Sequence, residues 1–386
     1  MKITTVFLMD KNNKRTKIHK RSSESYNFNI SYFLAIICIF LVAIFVLTKV
    51  KINAKILNFA TNFRQAEDEK FEAKNLVAVY NIFNEKNYVM EKSKENFKDI
   101  DTKNTKMDNK TNYEKIDALA NKENIEEVFL KFAPTIDITE NSKKIQRISI
   151  NNMKILNYST KREIDFNGLL SKNINLAKKS DKVLIYNTHT SETYANSEKY
   201  KFEYTGTSRT TDANYNMLCI AKELNNNLLD KGISPIQNTT PHDYGTYTSA
   251  YSKSRITVKE ALHSLGGAGI SIDVHRDASS NLDFRPIVTI NGVQVAQLMF
   301  VMGVGSDTTK NMYYEDNLAL AIKIQHLANK IYPGLFRSMI IRNSVYNQDL
   351  NKYSLLVEVG ATGNTIDEAK LATRCLTNLL NIIYKD

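Results

Sequence analysis

The chain has 386 residues, 42% of them apolar, with a formal charge of +11; this permits about two domains with a packed core. The positive charge suits anionic lipid or cell wall, whereas no RNP, zinc-finger or helix-turn-helix signature is present, so nucleic acid is not an expected partner. The three cysteines, Cys38, Cys219 and Cys375, form no CxxC pair, which argues against a cysteine zinc site or a disulfide framework; Cys219 and Cys375 read as buried free thiols.

Residues 1–29 are basic, with Lys11, Lys14, Arg15, Lys17, Lys20 and Arg21 ahead of an uncharged apolar run at 30–48. At 1.5 Å per residue this run spans about 28 Å, close to a hydrocarbon core of about 30 Å. It is apolar on every face, unlike most buried core helices, and no A-x-A cleavage site follows. The predicted organisation is a single transmembrane helix at 30–48. The positive-inside rule puts residues 1–29 in the cytoplasm and the remainder outside it. Residues 49–121 read as a charged helical stalk passing, from about residue 90, into a flexible linker of mixed charge. Residues 122–179 regain apolar content and read as a small adaptor or the entrance to the main domain.

From residue 180 the pattern sharpens into the main domain, reaching residue 386. VLIY (183–186) reads as a buried strand. Met217, Ile220, Ala221, Leu224 and Leu228 recur at helical steps and stop before Gly232. A strand at 233–236 follows, then a short helix at 256–265 ended by Gly266 and Gly267, and a strand, ISIDV, at 270–274. Asn291-Gly292 between apolar runs 287–290 and 293–301 predicts a hairpin. A helix at 317–331, strands at 338–342 and 354–359, and a helix at 365–384 complete the domain. Thr365 and Glu368 form a predicted capping box for the last helix. This order implies an α/β fold with a mainly parallel central sheet flanked by helices.

Ligands of open α/β sheets bind beyond the carboxyl ends of the strands. VLIY is followed by Asn187, His189, Ser191 and Glu192, and ISIDV by His275, Arg276 and Asp277; the loop after 233–236 carries His242 and Asp243. Glu358 lies inside the apolar run SLLVEV. Imidazole and carboxylate together suit zinc, and a further carboxylate can move the proton of an activated water. Each residue also has an ordinary alternative: a hydrogen-bonded loop histidine, or a Glu358 paired with Arg342 or Arg276. Ser191 near His189 raises a serine hydrolase, but no G-x-S-x-G elbow accompanies it.

YNTHTSETY (186–194), HDYGTYTSAYSKSR (242–255), SIDVHRDA (271–278), DNLALAIKIQHLANKIYPGLFR (316–337) and YNQDLNKYSLLVEVGATGNTIDEA (346–369) resemble, in order, the motifs of the stage II sporulation protein P family. The resemblance spans roughly 180–386. It implies a zinc amidase-like fold behind one transmembrane helix. It also implies N-acetylmuramoyl-L-alanine amidase activity on peptidoglycan, with endopeptidase activity on cross-links, during spore engulfment. The expected partners are stage II sporulation proteins D and M, and the expected cofactor is Zn2+. Carried over by motif, His189 and His275 are expected as metal ligands and Glu358 as the catalytic carboxylate. Glu192 is favoured as third ligand, with His242 as its competitor, and Arg276 and Asn347 are expected beside the substrate. Many relatives read His-Thr-His-Thr where this chain opens with Asn187; if the chain is active, that first histidine is dispensable and His189 carries the metal. A non-catalytic, membrane-anchored wall-binding protein remains the alternative.

Overall fold

The computed structural model describes residues 5–9, 15–19, 102–121 and 135–385, apart from 143, 160–161, 175 and 177–179. The apolar run at 30–48 and the stalk at 51–92 lie outside these residues, and among the described residues no helix is long and apolar enough to cross a membrane. Strands β1 (Thr5–Met9) and β2 (Arg15–His19) pair as an antiparallel hairpin in an N-terminal unit of their own.

The second unit begins with helix α1 (Thr102–Ala120) and an antiparallel meander, β3 (Ile136–Asn141), β4 (Gln146–Ile150) and β5 (Met153–Asn157). After α2 (Phe166–Ser171) come β6 (Lys182–Tyr186), α3 (Met217–Asp230), β7 (Ser234–Gln237), α4 (Ala250–Leu265) and β8 (Ile270–Asp277). Hairpin β9 (Ile287–Ile290) and β10 (Val293–Ala296) leads to β11 (Leu298–Gly303), α5 (Tyr314–Ile331), β12 (Met339–Arg342), β13 (Ser354–Ala361) and α6 (Ile366–Lys385).

Nine strands form one sheet in the order β3-β4-β5-β12-β11-β13-β8-β6-β7. Strands β13, β8, β6 and β7 are mutually parallel. Strands β5, β12 and β11 are parallel to one another but run the opposite way, and β11 meets β13 in an antiparallel seam. The sheet is therefore mixed but mostly parallel.

Strand alternation explains its layering. Val183, Ile185, Ile270, Ile272, Val274, Leu355, Val357 and Val359 enter one core with the apolar stripes of α3, α5 and α6. Each such side chain contributes about 1.5–3 kcal/mol on burial, so the strands are held against a one-residue slip. Leu184 and Tyr186 face the other way and pack with Val258 and Ala268 beneath α4.

Three expectations are revised. Of the two readings of 122–179, the separate adaptor gives way to the entrance of the main domain: β5 hydrogen-bonds β12 in parallel, so the meander extends the same sheet. The predicted linker is helical over Thr102–Ala120. Tyr113, Ile116, Asp117 and Ala120 sit at helical steps on one face, where Ile116 and Ala120 are buried. This narrow stripe docks by charge as well as by apolar area. Asp117 accepts from Arg374 Nε and Nη2 (2.9 and 2.5 Å) and Asn378 Nδ2 (2.8 Å), with Lys231 Nζ at 3.2 Å. Finally, the run 293–301 is not one strand but breaks at Gln297, whose N–H donates to Pro286 O.

The capping box forms as expected. Thr365 N–H donates to Glu368 Oε2 (3.1 Å) and Glu368 N–H to Thr365 Oγ1 (3.3 Å). The hairpin turns at Asn291 and Gly292, both at positive φ (47° and 78°), the signature of a type I′ turn. Cys219 and Cys375 are buried and free.

Partial burial raises the Asp117 carboxyl, but the hydrogen bonds of Arg374 and Asn378 and the charges of Arg374 and Lys231 outweigh it and hold the group below its ordinary value. Asp117→Ala should lower the unfolding free energy by about 2–3 kcal/mol in denaturant titrations. Because the folded-state pKa is depressed, this contribution is present above the unfolded value of about 3.9 and is lost as pH falls through the folded value. The difference between wild type and variant should therefore shrink below about pH 4.

Candidate functional site

The face of β8 turned from the main core carries Ser271, Asp273 and His275, alternating with Ile270, Ile272 and Val274. On β13, Glu358 is the register partner of His275, so both side chains leave the same face, one strand spacing apart. Glu358 is the one residue of β13 with partial solvent access. The register shifts immediately after it, between Glu358 and Ala361, where Gly360 has φ +71°. A Cβ there would lie 2.7 Å from Asn364 Oδ1, so both conformation and space require glycine.

His189 and Glu192 come from the loop after β6, which is buried and tied down by side chains from three other segments. Thr188 donates its N–H and Oγ1–H to the Asp273 carboxylate (2.8 and 2.6 Å). Ser191 donates its N–H and Oγ–H to Asp243 (3.1 and 2.6 Å), which also accepts from Arg209 Nη1 (3.1 Å). Arg276 Nε donates to Thr193 O at 2.8 Å. Asn187 Nδ2 donates to Val274 O at 2.6 Å, so this position serves the scaffold.

The fold thus brings together His189, Glu192, His275 and Glu358. The His189 and His275 rings meet edge to face with centroids 5.4 Å apart. His275 Nδ1 lies 3.5 Å from Glu192 Oε2, and Nε2 lies 2.9 Å from Asp273 Oδ1, out of line for a hydrogen bond. Tyr247 stacks on His189 (4.0 Å, 13°) and receives the Arg209 guanidinium on its other side at 4.3 Å. Tyr251, on α4, touches both histidine rings.

These surroundings drive the ionisable groups apart. Burial pulls the His189 imidazole down to about 4, against the charge of Glu192. Burial would raise Glu192, but the hydrogen bond and charge of His275, with Arg276 and His189, bring it to about 2. Burial would lower His275, yet Asp273 and Glu192 hold it well above its ordinary value. Burial pushes Glu358 up to about 8, with Glu192 and Asp277 adding to the effect of burial and His275 opposing it.

The donor set fits a metal cation. His189 Nδ1, His275 Nε2 and Glu358 Oε2 are buried without hydrogen-bond partners. Among the described residues, no three His, Cys, Asp or Glu side chains have their donors drawn to a common point, so the arrangement is a cluster of candidate ligands rather than a formed cage.

The remaining expected residues are occupied by the protein itself. His242 is buried, with Nδ1 2.8 Å from Asn187 O and Nε2 3.1 Å from Thr257 Oγ1. The Arg276 guanidinium faces the carbonyls of Thr193 and, at 2.8 Å, Ser208. Asn347 Nδ2 donates to Tyr251 O (3.1 Å) and Ser254 Oγ (2.9 Å), bracing α4. Neither Arg276 nor Asn347 points free donors at an open site. Sequence reasoning missed the parts of Asp273, Arg209, Tyr247 and Tyr251. The alternation I-S-I-D-V-H puts Asp273 on the face of His275, and Tyr247 and Tyr251 are four residues apart; Arg209 left no local signal.

Fold and site define an α/β protein with a buried histidine–carboxylate centre at the carboxyl ends of its parallel strands. The family described as stage II sporulation protein P (SpoIIP) matches residues 48–381. The chain belongs to that family. It is 30% identical over 215 residues to stage II sporulation protein P of Bacillus subtilis (strain 168), covering 53% of this chain and 51% of that protein. The chain thus spans about half the length of this curated relative. Among solved structures it is similar to the CwlD amidase of Clostridioides difficile in complex with the GerS lipoprotein, at 17% identity, 53% of this chain, 94% of that one and a TM-score of 0.33. It is also similar to the N-acetylmuramoyl-L-alanine amidase AmiC2 of Nostoc punctiforme, at 15% identity, 53% and 93% coverage and a TM-score of 0.30.

Because both ring nitrogens of His242 are engaged within the fold, His242→Ala should cost about 1–3 kcal/mol of stability. Thermal unfolding should register this loss while the protein's metal content stays at the wild-type level. A variant that keeps its stability but loses metal would return His242 to the ligand set.

Proposed function

We propose that the chain is a membrane-anchored, zinc-dependent N-acetylmuramoyl-L-alanine amidase that removes stem peptides from peptidoglycan during spore engulfment, with cleavage of cross-links as a second activity. The observation that carries this reading is Glu358, in register beside His275 at the ends of the parallel strands, with partial solvent access and with Oε2 left without a hydrogen-bond partner. Family membership supplies the substrate class.

His189, Glu192 and His275 would hold the metal. A zinc ion there would supply Lewis acidity, polarising the amide carbonyl and lowering the pKa of water towards 7. Glu358 takes the proton of the attacking water and delivers it to the departing amide nitrogen, a role suited to a carboxyl that titrates near neutral pH. Asp273, which accepts from Thr188, and Asp243 with Arg209 hold the loop that carries His189 and Glu192. The Tyr247 and Tyr251 rings flank the histidines and restrict access of bulk water.

In this reading residues 30–48 anchor the chain, residues 1–29 remain cytoplasmic and the catalytic domain works outside the cytoplasm. Stage II sporulation proteins D and M are then the proposed partners, on the strength of the family resemblance alone.

Sacculi treated with the full-length protein should yield stem peptides with a free L-alanine amine, read by mass spectrometry of the muropeptides. Intact muropeptides would leave a wall-binding role instead. Glu358→Gln should lower the rate by about 10²–10⁴-fold while bound zinc stays at the wild-type level. His189→Ala, Glu192→Ala and His275→Ala should each lose zinc as measured by elemental analysis, and a chelator should abolish activity in a way that added zinc restores.

A further inference from the structure

A second feature lies on the same edge of the sheet. Between the meander and the carboxyl end of α5 opens a cleft of about 1040 Å3, whose lining includes Asn151, Lys154, Gln325, Lys330 and Arg337. The chemistry described above uses none of these residues.

Strand register relates the cleft to Glu358. Met299 on β11 is the partner of Glu358, and the neighbouring Leu298 accepts a hydrogen bond from Arg337 N–H at 2.8 Å. Two strand spacings, about 10 Å, therefore separate the backbones of Arg337 and Glu358. The Arg337 side chain runs back towards the centre. Its Nη1 donates to Asp277 Oδ2 at the end of β8 (2.8 Å), and its Cζ lies 5.6 Å from the ring centroid of Phe284, which is 38% exposed. Arg337 is thus a wall common to the cleft and the centre. The intervening distance is covered by about three residues of extended peptide.

The lining also indicates what it would bind. Lys154, Lys330 and Arg337 face one acid, Asp137. Lys154 and Lys330 are exposed; behind them Arg337 Nε and Nη2 and Gln325 Oε1 are buried without hydrogen-bond partners. Cations with spare donors suit carboxylates, and amide side chains suit peptide backbone. The rings of the lining, Phe336 and His326, are both buried and offer no open face on which a sugar ring would pack.

We infer that this cleft binds the acidic peptide portion of the substrate, with its carboxylates at Lys154 and Lys330, while the bond to be cut lies at Glu358. This inference rests on the peptidoglycan hydrolase reading. Its test uses the full-length chain and an acidic stem peptide released from sacculi. Lys154→Glu with Lys330→Glu alters two exposed side chains. On a Glu358→Gln background, the pair should weaken stem-peptide binding by about tenfold or more in calorimetry, and Lys154→Ala with Lys330→Ala should weaken it less. On the otherwise wild-type chain, the charge reversals should raise KM for soluble muropeptides by a similar factor, with kcat falling less than about twofold. Unchanged peptide affinity in the reversed variant would overturn the proposal, as would binding of peptide-free glycan in place of the peptide. Peptide held through the two lysines by a chain that hydrolyses nothing would support the cleft and sink the catalytic reading. Hydrolysis with peptide affinity untouched by the reversals would do the opposite.

Discussion

The register between β8 and β13 is the constraint on which the candidate site depends. It sets His275 beside Glu358 and turns both away from the main core. It is held by apolar side chains on the opposite face, Ile270, Ile272 and Val274 on one strand and Leu355, Val357 and Val359 on the other. Slipping either strand by one residue would carry a carboxylate or an imidazole into the apolar layer, at a cost greater than the loss of any single contact. The polar geometry is thus enforced by the hydrophobic effect acting on the other side of the same strands.

The same arrangement accounts for the electrostatics. Burying Glu192, His275 and Glu358 together at the ends of the strands shifts all three groups from their ordinary values. Charges that find a partner are stabilised, as Glu192 is by His275, whereas burial, with the charges of Glu192 and Asp277 adding to it, pushes Glu358 towards its neutral form. Two buried carboxyl groups, Glu192 on the loop and Glu358 on the sheet, are thereby driven in opposite directions, one below and one above its ordinary value. The scaffold cost is visible in how much polar chemistry is spent on the β6 loop: Asp243, Asp273, Arg209 and Arg276 all bond to it or brace it.

Around this centre the sheet grows in a direction that local patterning does not reveal. The meander joins through β12, and the resulting surface carries a polar cleft on the same edge as the centre. Helix α1, with a mean composition that reads as solvated, is fixed to α6 by a carboxylate that satisfies Arg374 and Asn378 at once. Both features depend on contacts more than a hundred residues apart in the chain.

Much of the architecture was legible in the sequence because it is written in short-range periodicity. The strands at 183–186, 270–274 and 354–359, the helix ending before Gly232, the Asn291-Gly292 hairpin and the Thr365/Glu368 cap each depend on a few adjacent residues, and the structure contains them all. The start of α4 escaped because its first turns bury Ala250 and Ser254 and set Tyr251 against the histidines, leaving no apolar stripe to read. The sequence by itself also determined the set of histidines and carboxylates at the strand ends. Only the tertiary structure decided how they are used: which histidine has both nitrogens consumed, as in His242, and which keeps one unpartnered, as in His189. It likewise decided that a polar segment folds back as α1 and that the meander belongs to the main sheet. The physical reason is common to all of these. Burial and hydrogen-bond satisfaction are properties of neighbours in space, and strand pairing and side-chain capture bring together residues whose separation along the chain carries no signal.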